Sequence, residues 1–276
     1  MRGDGVRWGA DVRSISDMAG ESLLLGGGGR AILLQLANPA VGHGVADHSD
    51  FVDRPLARLH GTMTYLYAIV FGTPEEVAFV RALVDRAHRP VRSTASSPVS
   101  YDAVDPQLQL WVAATLYDSA ISLYERVHGA LSPQAAEDVY REYVVVGSAL
   151  QMPPELWPAT RADFRSWWDA QLAGLSVDAV TRDVAHQLLH PVNVPVALRL
   201  AMPLARLVTA GLLPTTVREA FELPWGAGRQ RLFDLVVGVS RAVVPRLPGR
   251  VRHVLRDHYL RRLRSYMAQQ GPERAV

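Results

Sequence analysis

Cysteine is absent from this chain, and so is lysine: all 29 basic residues counted as Lys or Arg are arginine. Without cysteine there can be no thiolate-ligated haem, iron–sulfur cluster, cysteine zinc site, thiol nucleophile or disulfide. Disulfides therefore say nothing about the redox compartment. Without lysine there is no Schiff-base amine, no phosphate-loop lysine and no lysine general base. A coding bias toward arginine accounts for the second absence, since either cation serves a solvated face. The chemical exclusions hold regardless of its origin.

Charge of one sign is also scarce. The net charge is +2, so a pI near 9.1 reflects a near balance rather than the basic excess of a nucleic-acid binder. The arginines are unevenly placed: between Arg241 and Arg264 there are eight, against one acid, Asp257. That cluster suits an anionic membrane surface contacted through the C-terminal helix, or simply a solvated face. No long hydrophobic run is present. The leucine-rich stretch Leu23 to Leu36 is interrupted by Gly26 to Gly29 and by Arg30, too short and broken to span a bilayer. The opening Met1-Arg2-Gly3-Asp4 leads into no apolar signal core. A soluble, cytoplasmic protein is expected.

What the sequence does have is helical periodicity. Half of its residues are hydrophobic (49%), enough for a large core or an apolar cavity. Thr73-Pro74-Glu75-Glu76 reads as a helix start: a threonine cap, proline in the first turn, acids at the positive end of the dipole. Val77, Val80, Leu83, Val84 and Ala87 follow at spacings of three and four. Asp105-Pro106 and Ser132-Pro133 repeat the cap-then-proline signal. Further helices are expected over 31–37, 54–70, 163–172, 176–189, 198–212, 215–221, 229–244 and 250–267, the second of them capped by one of Asp47, Asp50 or Asp53. No segment alternates with period two long enough to be a strand. The expectation is an all-α, single-domain multi-helix bundle of about ten helices over residues 15–268, flanked by tails at 1–14 and 269–276.

Arg58 and Thr62 stand four apart, so they share a helix face. A fixed guanidinium beside a hydroxyl suits an oxygen-derived ligand: the cation stabilises developing negative charge and the hydroxyl orients the bound molecule. The plain alternative is a surface arginine above a threonine that bonds its own helix backbone. His88 closes the following helix. It suits a haem iron ligand where cysteine is absent, or a histidine satisfying the last carbonyls of its helix. His43, Asp47 and His48 lie close enough for a nonhaem metal site, with a structural role as the alternative. Trp111, Tyr117, Trp157, Trp167 and Trp168 either line an apolar pocket or pack the core.

Several segments in order resemble one family. They are Arg30-Ala31-Ile32-Leu33-Leu34-Gln35-Leu36-Ala37-Asn38-Pro39, Gly44-Val45-Ala46-Asp47-His48-Ser49, Arg58-Leu59-His60-Gly61-Thr62, Phe71-Gly72-Thr73, His88, Tyr101-Asp102-Ala103-Val104-Asp105-Pro106 and Leu110-Trp111-Val112. The stretch 147–154 and Gly211-Leu212-Leu213-Pro214 continue the likeness, which covers about residues 15–250. Together they resemble the MpaB/rubber-oxygenase catalytic domain.

That resemblance implies a globin-like α-helical core holding haem b, with oxygenase chemistry on an apolar, isoprenoid or secondary-metabolite substrate and dioxygen. It implies that His88 ligates the iron and that Arg58 and Thr62 face the distal side. Latex-clearing members carry a lysine just before that threonine, where this chain has Gly61. The sixth iron position would then be open, water-bound or capped by a residue such as His60 or His48. The family's histidine shortly after the Trp-Val segment is replaced by the region of Ala113 and Ala114. Alternatives to an oxygenase are a haem oxidoreductase of peroxidase or desaturase type and a non-catalytic helical binder of an apolar ligand.

Overall fold

The computed structural model describes residues 12–48 and 56–270. Its helices are α1 (Ile15–Ala19), α2 (Gly28–Leu36), α3 (Pro39–His48), α4 (Ala57–Phe71), α5 (Pro74–His88), α6 (Pro106–His128) and α7 (Pro133–Ser148). There follow α8 (Arg161–Ala173), α9 (Ala179–Leu189), α10 (Val196–Leu212), α11 (Thr215–Ala220), α12 (Ala227–Val243), α13 (Gly249–Arg252) and α14 (Val254–Gln270). Among the described residues there is no strand, only an isolated bridge between Arg92 and Asp102. The class is all-α, in one domain.

Three helices were not expected. The five residues of α1 are too few to show a period. Pro39 does not break a helix but opens α3: Asn38 Oδ1 accepts from the backbone of Ala40 at 3.1 Å and Val41 at 3.3 Å, and proline fits the first turn that follows. At the C-terminus, His253 separates α13 from α14 where one helix was expected. The proposed start of α4 at Arg54 and Pro55, and the candidate caps Asp50 and Asp53, lie outside the described residues.

Helix α2 is the axis of the fold. Its Arg30, Ala31, Leu33, Leu34, Gln35 and Leu36 are all buried, and it packs on α3, α6, α9 and α10. Close approach needs the glycines before it: a Cβ at Gly29 would stand 2.0 Å from Thr209 Oγ1 on α10. Arg30 locks the same junction, with Nη2 2.5 Å from Asp118, Nη1 donating to Ser119 and Nε to the carbonyl of Leu212. The aromatic set resolves as core rather than pocket wall. Trp111 stacks on Trp168 at 5.2 Å and lies 6.3 Å from Trp167, while Tyr117 meets Trp157 edge-on at 5.8 Å.

Helices α4 and α5 form an antiparallel pair around Gly72 and Thr73. The turn is fixed by a capping box: Thr73 Oγ1 accepts from Glu76 N at 3.3 Å, and Glu76 Oε2 accepts from Thr73 N at 3.0 Å. Such a cap contributes about 1 kcal/mol. Arg264 of α14 adds a 2.7 Å bond to Glu76, so the closing helix braces this hairpin.

Candidate active site

The hairpin itself brings the sequence-predicted residues together. Arg58 lies fourteen residues before Gly72 and His88 fifteen after Thr73. At about 1.5 Å per residue both stand roughly 20 Å from the turn, level with each other on facing helices. Their charges interact: burial first, and then the Arg58 guanidinium, push the His88 pKa below its ordinary value, against a smaller opposing pull from Asp85. His88 is therefore a neutral imidazole at neutral pH, the form that ligates metals. Its Nδ1 is buried and has no hydrogen-bond partner. Buried polar atoms without partners are few, and one on a neutral imidazole is a group available to a ligand.

Arg58 is partly exposed as a residue, yet burial around its guanidinium lowers its pKa to about 10. It remains a cation at neutral pH. Its Nη2 donates to Gln35 Oε1 at 3.4 Å. Gln35 Nε2 donates in turn to Thr115 Oγ1 at 3.1 Å, and that hydroxyl donates to the carbonyl of Val112 at 2.7 Å. Thr115 gives its only proton to Val112, so it can only accept from Gln35, and the amide orientation follows. A buried chain through α2 and α6 thus presents a fixed acceptor to Arg58. Gln35 was quoted in the sequence motif without a role. The available signal was a single amide inside the apolar run from Ala31 to Ala37.

Thr62 shares the helix face of Arg58, and no hydrogen bond ties its hydroxyl to another described residue. The backbone-bonding threonine of this helix is instead Thr64, whose Oγ1 donates to the His60 carbonyl at 2.8 Å. Around Gly61, a Cβ would meet nothing within 4 Å.

The other candidates disperse. His43 is buried and its Nε2 lies 2.7 Å from Asp178 on α9; Asp47 accepts from Tyr101 Oη at 2.6 Å; His48 meets the Tyr101 ring edge-on at 5.8 Å. The nonhaem metal site is thereby corrected: among the described residues no three histidines or acids are grouped to hold a metal ion. Of the two residues named as possible caps of an iron, His60 has its Nδ1 2.8 Å from Tyr259 Oη on α14, and His48 is exposed beside Tyr101. A surface cleft of about 480 Å³ lies between α3 and α9, and its lining includes none of Arg58, Thr62 and His88.

The groups that could hold a cofactor are a buried, neutral imidazole nitrogen at His88, a cation at Arg58 on the facing helix and an unengaged hydroxyl at Thr62, while Gly61 is exposed.

Comparison with known proteins agrees with the order of these segments. Residues 17–242 match the family model described as "ER-bound oxygenase mpaB/B'/Rubber oxygenase, catalytic domain". Uncharacterized proteins of Mycobacterium tuberculosis (Rv2237) and Mycobacterium bovis (Mb2261) are each 38% identical to the chain over 224 residues, covering 79% of it and 88% of their own length. No solved structure matches the chain significantly. The chain belongs to the MpaB/rubber-oxygenase catalytic-domain family.

Proposed function

We propose that the chain is a haem-b-dependent oxidoreductase of oxygenase type, acting with dioxygen on an apolar substrate of isoprenoid or secondary-metabolite class. Family membership points to oxygenase-type activity. The observation that carries the finer reading is His88, whose buried Nδ1 lacks a partner and whose ring is kept neutral by burial and by Arg58. His88 would hold the iron, and Arg58 and Thr62 would be polar groups facing the bound oxygen ligand, in a globin-like core.

When bound, the haem supplies the redox-active iron at which dioxygen is used. The chain's own residues do the rest. Arg58 holds a fixed positive charge in a low-dielectric setting, where it stabilises negative charge developing on oxygen more than it would in water. Gln35 keeps that guanidinium aimed, so little reorganisation is needed during reaction. Thr62 Oγ1 can donate one hydrogen bond and so orient an oxygen ligand. No lysine stands at position 61, so the space there is open to substrate or water.

The test is an absorption spectrum of the purified chain reconstituted with haem b. A Soret band in the wild type that is lost or shifted in His88→Ala supports the reading. A wild type with no such band overturns it. Turnover under oxygen-18 gas then identifies the reaction type: label in the product is expected of an oxygenase, and unlabelled oxidised product means a peroxidase or desaturase.

A further inference from the structure

Among the described residues, seven of the fifteen large exposed apolar residues lie on two neighbouring helices. Helices α10 and α12 pack together through their inner sides, where Leu207, Leu212 and Phe233 join one buried cluster with Leu123 and Val127 of α6. Their outer sides should be polar by the usual amphipathic rule. Instead Val196, Leu200 and Leu204 follow one another four apart along α10, and Leu235, Val239 and Val243 do the same along α12. Leu200 is 75% exposed and Leu235 61%. Two exposed apolar stripes on packed helices are the pattern of an interaction surface.

The charges around it select the partner. No acid occurs from residue 184 to 218, and between 223 and 256 the only acid is Asp234. Exposed arginines stand on and beside the two helices at Arg199, Arg229, Arg231, Arg241 and Arg246. An apolar face flanked by arginine is the pattern of a helix lying in the interface of an anionic bilayer. A second copy of the chain is disfavoured, because a two-fold interface would set one arginine rim against its equal. Nucleic acid is disfavoured too, since leucine and valine at the centre of the face offer no donor to a phosphate. Among the described residues no helix is long and apolar enough to cross a membrane, so the contact would be peripheral.

We infer that helices 196–212 and 227–243 form a docking face for the surface of an anionic lipid bilayer. It is a second candidate contact beside the C-terminal helix expected from the arginine count. In the C-terminal helix Tyr259, Leu260 and Leu263 face inward; of the cluster, Arg252, Arg256 and Arg264 pair with Glu21, Asp257 and Glu76, while Arg261 and Arg262 are exposed. The face shares no residue with the Arg58–His88 site, so its failure would leave the haem reading untouched.

The experiment is cosedimentation of the full chain with vesicles of equal parts phosphatidylglycerol and phosphatidylcholine, and with phosphatidylcholine alone. Binding to the anionic vesicles, at least about tenfold stronger than to the neutral ones and weakened by salt, is expected. Leu200→Glu with Val239→Glu alters exposed positions only and should reduce binding by about tenfold or more, with the helical circular dichroism unchanged. Arg231→Glu with Arg241→Glu, also at exposed sites, should do the same through charge alone. Absence of wild-type binding, equal binding to both vesicle types, or binding unaffected by both variants overturns the proposal. So does a lipid-free dimer, seen by sedimentation equilibrium, that Leu200→Glu with Val239→Glu converts to monomer.

Discussion

The side-chain carbonyl of Gln35 accepts a hydrogen bond from Nη2 of Arg58 at 3.4 Å. Because the amide nitrogen of Gln35 is committed to Thr115, the carbonyl faces Arg58 by necessity. One cation on α4 is therefore met by an acceptor held by residues of α2 and α6, neither of which is its sequence neighbour.

Gln35→Leu removes the acceptor while keeping similar bulk. Arg58 then loses one acceptor, and Thr115 loses a donor. Stability is expected to fall by about 1–3 kcal/mol, the cost of leaving buried polar groups unsatisfied. If Gln35 aims Arg58, turnover falls by about tenfold with little change in KM, because a group acting in the transition state has been misplaced. Chemical denaturation and steady-state kinetics on the haem-loaded protein check the two effects separately.

His88→Ala is expected to abolish the Soret band while costing little stability, under about 1 kcal/mol, because the position is only half-buried and Nδ1 bonds to nothing. Spectral titration with haem and thermal melting of the apoprotein are the measurements. A variant that melts far below the wild type would mean that His88 is structural.

Gly61→Lys restores the lysine of latex-clearing relatives. A side chain has room to leave this position, and replacing glycine in a helix interior stabilises by up to about 1 kcal/mol. The expected outcome is a protein that melts slightly higher than the wild type and whose haem spectrum shifts toward a six-coordinate form. An unchanged spectrum would mean that residue 61 does not face the iron.

The acid side of the stability profile should depend on His128. This ring stacks on Tyr124 at 4.4 Å and is almost wholly buried; burial and then the charge of Arg252 lower its pKa from 6.5 to about 4. The unfolded chain therefore takes up a proton that the folded one refuses. Stability from this group is complete above about pH 6.5 and is lost as pH falls toward 4, by up to about 3 kcal/mol. Glu21, whose pKa burial raises, acts in the opposite sense and is most favourable at low pH. His128→Phe keeps the stack and removes the titration, so urea melts between pH 7 and 4 should lose most of their slope. A slope equal to that of the wild type would refute the assignment.

Arg30→Ala should destabilise by about 3–5 kcal/mol, because Asp118 and the Leu212 carbonyl lose their partner at the α2–α6–α10 junction. Haem uptake per folded molecule is expected to be unchanged, which calorimetry and haem titration together would show.

Local chemistry fixed much of this protein. The caps at Thr73, Asp105 and Ser132, each followed by proline, start helices where the sequence says they should, because the capping hydroxyl or carboxylate and the proline act within one turn. The absence of cysteine and lysine decided which chemistries are closed. The spacing of Arg58 and His88 about the Gly72–Thr73 turn even determined that those two would stand level, once the two helices paired. What the sequence could not decide was which polar residues are spent. His43 and His60 look like His88 in one dimension, but Asp178 and Tyr259 each engage one of their ring nitrogens from positions 135 and 199 residues away. His88 Nδ1 stays open because folding buries it beside Arg58 without supplying a partner. Burial and pairing are properties of distant neighbours, and only the tertiary structure brings those neighbours together.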